Sequence, residues 1–311
     1  ALECLKKMKV YPDEARNWLE NAIINMKDKA CARKSGLGTP LPWDPEWIIE
    51  PLSDSTIYMA YYTLARIIKE CNISAAQLKD ELFDYVFLGK GNADEVAKIC
   101  KLDRKVVEEM KKEFEYFYPV DLRNSGKDLV QNHLTFFIMH HVAIWRDKPE
   151  YWPRAISVNG FVRVEGEKMS KSKGNVIPLR DLILQYGSDL VRLNIVTSAE
   201  GLDDADWHAE NIKSIRARIS FIFNLVKSLA QARRNDVRNV DRFLRSRMQK
   251  HIAKATEYYE QLKFRSAGQE VLFHATNDLK WYLARCNGSS NCNEGVLRKS
   301  LEELVRLLAP L

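Results

Sequence analysis

Beyond Asp206 the sequence reads as four long amphipathic helices in succession, at about 208–234, 240–262, 265–284 and 294–309, separated by the breaks NDVRNV, KFRSA and CNGSSNCNEG. Apolar residues recurring three and four positions apart give each segment one apolar stripe, and a stripe must be buried against another. Short breaks fold consecutive helices back on one another. Residues 206–311 are therefore expected to form an all-α bundle.

Upstream the grammar differs, because helical stretches alternate with short strand-like runs. A helix is predicted from Pro12 to about Lys34, with Trp18, Leu19, Ala22, Ile23 and Met26 at helical spacing. It ends at SGLGTPLPWDP, where glycines and prolines are expected to prevent regular structure. A second helix is predicted over Asp54 to Glu70. Residues 73–117 read as an insertion of three short charged helices, broken at Gly89-Lys90-Gly91 and at Leu102-Asp103. VDLRNSG reads as a strand, Asp128 to Trp145 as a long buried helix, and AISVNG as another strand. Strand, helix and strand in that order predict a parallel crossover, with ligands at the carboxyl ends of the strands, where Gly126 and Gly160 fall. The fold class is thus α/β plus all-α, mostly helical overall, with an α/β domain over residues 1–205 and a bundle over 206–311. No internal repeat or low-complexity tract is present.

Composition excludes some classes of function. No apolar run approaches the roughly 20 residues of a membrane span, and the first residues lack the apolar core of a signal peptide. The six cysteines are scattered without metal-ligand spacing, so no metal site is expected and a reducing, cytoplasmic location is. The formal charge of +6 is unevenly spread. Asn211 to Arg265 holds 14 Lys and Arg against 4 Asp and Glu, a net of +10, which leaves −4 for the rest. A basic helical segment can be a solvated face, but such concentration points to a polyanion partner. Arg233, Arg234, Arg242 and Arg245 are the candidates to meet it.

The stretch GEKMSKSKGN, residues 166–175, places Lys168, Lys171 and Lys173 with two serines between glycines. Ammonium groups on flexible stems suit a substrate whose negative charge moves during reaction, as when pyrophosphate leaves a nucleoside triphosphate. Flanking glycines let such a loop close. The word KMSKS is expected by chance in a chain of this length on the order of once in a thousand to ten thousand.

KMSKS after a strand resembles the second signature of class I aminoacyl-tRNA synthetases. The wider wording is similar to leucyl-tRNA synthetases of the archaeal and eukaryotic cytosolic type. The resembling stretches are CARKSGLGTPLPWDPEWIIEPLSDSTIYMAYYT, DLRNSGKDLVQNHLTFF and WPRAISVNGFVRVEGEKMSKSKGN, with weaker similarity from YGSDLVRLNIVTSAEGLDDADWHAENI to NDLKWYLAR. The implied fold is the second half of a Rossmann-like catalytic domain followed by a tRNA-binding helical bundle. The implied reaction is ATP- and Mg2+-dependent activation of leucine and its transfer to tRNA(Leu).

That resemblance assigns roles to particular residues. Lys168 and Lys171 match the lysines that contact the triphosphate, and Ser170 would order the loop. Gly126 and Asp128 match the step that holds the ribose of ATP, with Asn159 and Gly160 beside the adenine. Met59, Tyr62 and His133 match the leucine pocket. Met59, Tyr62 and His133 would equally suit a core, and Asp128 would equally suit a helix start.

The family's first signature, His-x-Gly-His, is absent from this sequence, as is room for an editing domain. The expectation is a fragment or a split half that is inactive alone and needs an N-terminal catalytic half in cis or in trans. An isoleucyl- or valyl-type synthetase fragment, or a non-catalytic RNA-binding paralogue, are the alternatives.

Overall fold

The computed structural model describes residues 1–28 and 30–311; Lys29 and the side chain of Lys171 lie outside the described residues. The chain forms two compact units, Ala1–Val158 and Asn159–Leu311. Among the described residues no helix is long and apolar enough to cross a membrane.

The first unit starts with α1 (Leu2–Lys7) and β1 (Lys9–Tyr11), then α2 (Glu14–Ile24). Sequence patterning gave no sign of β1, because three residues are too few to show alternation. The helix expected to reach Lys34 stops ten residues earlier, where the Asn25 side chain bonds back to the Asn21 carbonyl. The glycine- and proline-rich tract is irregular over residues 34–39, as expected, but its second half is strand. An antiparallel sheet forms from β2 (Ala32–Arg33), β3 (Pro40–Leu41) and β4 (Asp44–Ile49), with β4 in the centre. Pro40 is tolerated because β3 is an edge strand. Gly38 is required by close packing, since a Cβ there would lie 2.2 Å from Ile48 Cγ2.

Next come α3 (Pro51–Asp54), at whose end the Ser55 hydroxyl bonds back to the Leu52 carbonyl, and α4 (Met59–Glu70), which begins at Met59 and not at Asp54 as expected. The charged insertion holds α5 (Asp80–Phe83), α6 (Ala93–Cys100) and α7 (Arg104–Phe117), broken at the expected glycines and at Asp103, which caps α7. Then β5 (Arg123–Gly126) leads into one 3-10 turn and a π-turn over Val130–Leu134 before α8 (Thr135–Ile144). The Thr135 hydroxyl bonds the Val130 carbonyl five residues back, which fits that wider turn. Strand β6 (Ala155–Asn159) lies between β1 and β5 and runs parallel to β1. Leu19, Leu64, Ile67, Met110, Phe114, Phe137 and Ile156 are buried in this unit.

In the second unit β7 (Val162–Val164) and β8 (Glu167–Lys168) form a hairpin ahead of α9 (Leu179–Tyr186) and α10 (Ser188–Val196), and β9 (Ala205–Trp207) pairs parallel with β7. The bundle follows the sequence pattern closely, with α11 (Ala209–Leu229), α12 (Asn239–Glu260), α13 (Phe264–Gly268), α14 (Thr276–Arg285) and α15 (Glu294–Leu308). Helices α13 and α14 are joined by a π-helical stretch, Gln269–Ala275, within the segment read as one helix. His251 of α12 holds that stretch, with its two ring nitrogens 2.6 Å from Glu270 and 2.8 Å from Asp278.

A buried ion pair closes one end of the bundle. Asp241 is wholly buried and accepts both Arg234 Nη1 (2.8 Å) and Nη2 (2.7 Å), the Arg238 amide (2.7 Å) and the Tyr282 hydroxyl (2.6 Å). Burial works against the Asp241 charge, but these donors outweigh it and hold the carboxyl below the usual range. Replacing Arg234 by Ala would strand a buried carboxylate, so urea unfolding should show a loss of about 3–5 kcal/mol. Tyr282→Phe should cost about 1–2 kcal/mol.

The first unit predicts a pH dependence. His141 is fully buried, its Nδ1–H donates to the Phe137 carbonyl (2.8 Å), and its Nε2 accepts from the Tyr118 hydroxyl (3.2 Å). Burial lowers its pKa from 6.5 to about 4. The unfolded chain therefore takes up a proton at a higher pH than the folded chain, and stability is lost as pH falls from about 6.5 to about 4, by on the order of 3 kcal/mol. Denaturant unfolding across this range should show that slope, and His141→Gln should reduce it. His133 and His140, also lowered by burial, keep part of it.

Candidate active site

Each unit carries part of the residue set expected from the sequence. In the first unit, Gly126 ends β5 and the Asp128 carboxylate folds back over it. A Cβ on Gly126 would stand 2.6 Å from Asp128 Oδ1, so a side chain here would push the Asp128 carboxylate aside. Asp128 itself is exposed. His133 sits on the π-turn and is buried. Its Nδ1 lies 3.0 Å from Ser55 Oγ and 3.4 Å from the Leu52 carbonyl, and its Nε2 lies 2.8 Å from Arg123 Nη2. A guanidinium only donates, so Nε2 is the acceptor and the ring is neutral with its proton on Nδ1. Burial, and after it the Arg123 charge, lowers the His133 pKa, in keeping with that neutral form.

Met59 opens α4 and is half-buried, while Tyr62, one turn on, is 59% exposed. Tyr62 is thus no core residue. Its ring packs on Tyr58 with centroids 4.9 Å apart, and Arg123 lies over the Tyr58 ring at 5.8 Å. Tyr62, Tyr58, Arg123 and His133 therefore form a continuous chain of contacts. Arg123 and Ser55 were not singled out from the sequence. The available signal was a charged residue opening a strand that runs into a glycine loop.

In the second unit the lysine-rich loop follows β8. Lys168 is exposed, with Nζ 5.1 Å from the Phe161 ring centroid. The Asn175 side chain stitches the loop, accepting from the Ser170 amide (2.8 Å) and donating to the Lys168 carbonyl (3.1 Å). The Ser170 and Ser172 hydroxyls are 2.7 Å apart. Gly166 and Gly174 have φ of +80° and +69°, the left-handed region that favours glycine. Lys171 heads a 3-10 turn, but its side chain lies outside the described residues. The loop is thus a set of ammonium groups on a hydrogen-bonded frame, suited to gripping phosphates. Gly160 is needed for packing, because a Cβ would lie 2.1 Å from the Asp203 carbonyl oxygen. The Asn159 side chain donates to the Gly160 carbonyl and is exposed.

The four arginines expected to face RNA divide. Arg233 and Arg242 are exposed and Arg245 is half-buried. Arg234 is a correction: its side chain is 7% exposed and committed to Asp241, so it is structural and not part of an RNA-facing surface. Sequence counts its charge but cannot see its partner.

Comparison with known proteins matches the chain to a family. Residues 1–208 match the model of tRNA synthetases class I (I, L, M and V), and residues 241–311 match the anticodon-binding domain of tRNA ligase. The chain is 45% identical over 309 residues to a leucine-tRNA ligase of Archaeoglobus fulgidus, covering 99% of this chain and 32% of that protein. It is 45% identical over 321 residues to one of Pyrococcus abyssi, covering 100% and 33%. The chain thus spans about a third of the length of these relatives. Among solved structures, Mycobacterium tuberculosis methionyl-tRNA synthetase in complex with methionyl-adenylate aligns with a TM-score of 0.66 at 18% identity, over 96% of this chain and 54% of that one. The Agrobacterium radiobacter K84 LeuRS-tRNA-LeuAMS complex aligns with a TM-score of 0.52 at 20% identity, over 74% and 29%. These likenesses are of fold, a Rossmann-like α/β part followed by helices, as the family resemblance implied. With one family model covering two thirds of its length, the chain belongs to the class I tRNA synthetases of the isoleucine, leucine, methionine and valine group.

Proposed function

We propose that this chain is part of a leucine-tRNA ligase of the cytoplasm, activating leucine with ATP and passing it to tRNA(Leu). The observation that carries this reading is 45% identity to archaeal leucine-tRNA ligases along 99% of the chain, with the lysine loop intact. In this reading residues 1–205 supply the second half of the nucleotide-binding fold and residues 206–311 the tRNA-binding bundle. The first signature would come from a further segment, in cis or in trans.

In activation, a leucine carboxylate oxygen bonds to the α-phosphorus of ATP while the bond to the bridging oxygen breaks. Pyrophosphate leaves with the Mg2+ that ATP brought. A hydroxyl of the terminal ribose of tRNA then attacks the leucyl carbonyl and AMP leaves. Such displacements need positioning and charge stabilisation more than a nucleophilic side chain. Gly126 and Asp128 hold the ribose, Asn159 and Gly160 border the adenine, and Met59, Tyr62 and His133 line the leucine side. Lys168 and Lys171 meet the charge developing on pyrophosphate, and Ser170 fixes the loop that carries them.

Complementation with a polypeptide bearing the first signature tests this reading through leucine-dependent ATP-pyrophosphate exchange. Lys171→Ala should lower the rate by roughly 10² to 10³, the scale for one preorganised charge at a transition state, with little change in leucine affinity. Lys173→Ala is the matched control, because Lys173 is paired with Glu167 at 3.3 Å. Equal losses would mean diffuse charge and remove Lys171 from catalysis. Exchange driven by isoleucine or valine would reassign the substrate, and no exchange with retained RNA binding would mark a non-catalytic paralogue.

The bundle is read as the tRNA surface. The isolated chain should bind tRNA weakly, with an affinity that falls steeply as salt rises. Reversing Arg233, Arg242 and Arg245 to Glu should reduce the slope of log affinity against log salt by about 2 to 3. Arg234 is left in place to keep the bundle folded. An unchanged slope would mean that these helices are simply solvated.

A further inference from the structure

Arg123 is a half-buried cation without a counter-charge. Its Nη2 is spent on His133, its plane lies over Tyr58, and its Nε is buried with no hydrogen-bond partner. Among the described residues no carboxylate pairs with it, whereas the buried guanidinium of Arg234 grips Asp241 with two nitrogens. His133 cannot offset the charge, because the geometry that lets it accept from Arg123 requires the neutral ring. An uncompensated buried charge is costly, and a buried N–H left unmade adds to that cost. The His133 acceptor sits on a π-turn, a distortion that recurs at functional sites. The segment that faces it, α3 and Ser55, contributes a second buried orphan, the Ser53 hydroxyl.

We propose that Arg123 is the receptor for an anionic oxygen group, a carboxylate or a phosphate, bound beside Tyr58, with His133 as the positioning residue that holds the guanidinium in place. A guanidinium whose Nε–H lacks a partner has a donor to offer either anion, and its planar fork suits a carboxylate or a phosphate. The site rests on the synthetase reading only for the identity of its ligand, which would be the leucine carboxylate or the α-phosphate, the two groups that react with each other.

The test uses the purified chain, titrated at constant ionic strength with acetate and with inorganic phosphate while the Arg123 Nε–H and His133 ring nitrogens are followed by NMR. A saturable shift with a dissociation constant on the order of 1–10 mM is expected, with His133 still neutral. The His133 signals report in Arg123→Gln, where affinity should fall at least about tenfold, and in Arg123→Lys, which keeps the charge but loses the fork and should fall between. His133→Gln, which retains an acceptor, should preserve binding that His133→Leu weakens; a purely structural His133 would show no such split at equal thermal stability. Leucine against leucinol, and AMP against adenosine, distinguish the sources: preference for leucine assigns the carboxylate, and preference for AMP assigns the phosphate. Non-saturating drift that is the same in Arg123→Gln would overturn the site. These probes need neither a complementing half nor turnover. A failed titration therefore leaves the synthetase reading standing, while saturable binding without exchange on complementation removes that reading and keeps the site.

Discussion

The end of the bundle is organised around one buried carboxylate. Asp241 has no solvent exposure, so its charge exists only because Arg234, Tyr282 and the Arg238 amide surround it. The network reaches further. The Tyr282 hydroxyl accepts from the Asn293 amide, and the Asn293 side chain caps α15 while also donating to the Asp236 carbonyl. The loop before α12, the middle of α14 and the start of α15 are thus locked to a single point. Apolar contacts such as those of Leu244, Met248, Leu279 and Leu297 are nondirectional and would accept several registers. A fully satisfied polar network accepts one.

The same chemistry with a partner missing marks function. Arg234 is buried and Arg123 half-buried, yet one is neutralised and the other leans on a neutral imidazole and a tyrosine ring. The first holds the fold; the second is left to meet an anion. The lysine loop shows a third arrangement, in which the backbone is fixed by Asn175 while Lys168 stays exposed. Rigid support with free charge is what a site needs if it is to follow a phosphate that moves.

Legibility in the sequence followed the length of the signal. The four bundle segments were readable because each repeats the 3.6-residue period over several turns. The π-helical stretch at Gln269–Ala275 was not, because its apolar spacing differs little from that of an α-helix and its contact with His251 joins residues far apart in the chain. Strands β1 to β4 were invisible or misread, being two to six residues long, and β1 is defined by a partner, β6, distant in sequence. At the candidate site, glycines and lysines announced themselves by type and order, whereas Arg123 and Ser55 carry no such mark.

The sequence by itself determined the change from α/β to all-α near residue 206, the lysine loop, the glycine turns and the concentration of positive charge, because each depends on residue type and local period alone. Only the tertiary structure decided which arginine is buried and paired, which histidine is neutral, and that Tyr62 is exposed while His133 is enclosed. Those properties depend on groups brought together from far apart in the chain, and burial and hydrogen-bond partners set the energy of a charge far more than its identity does.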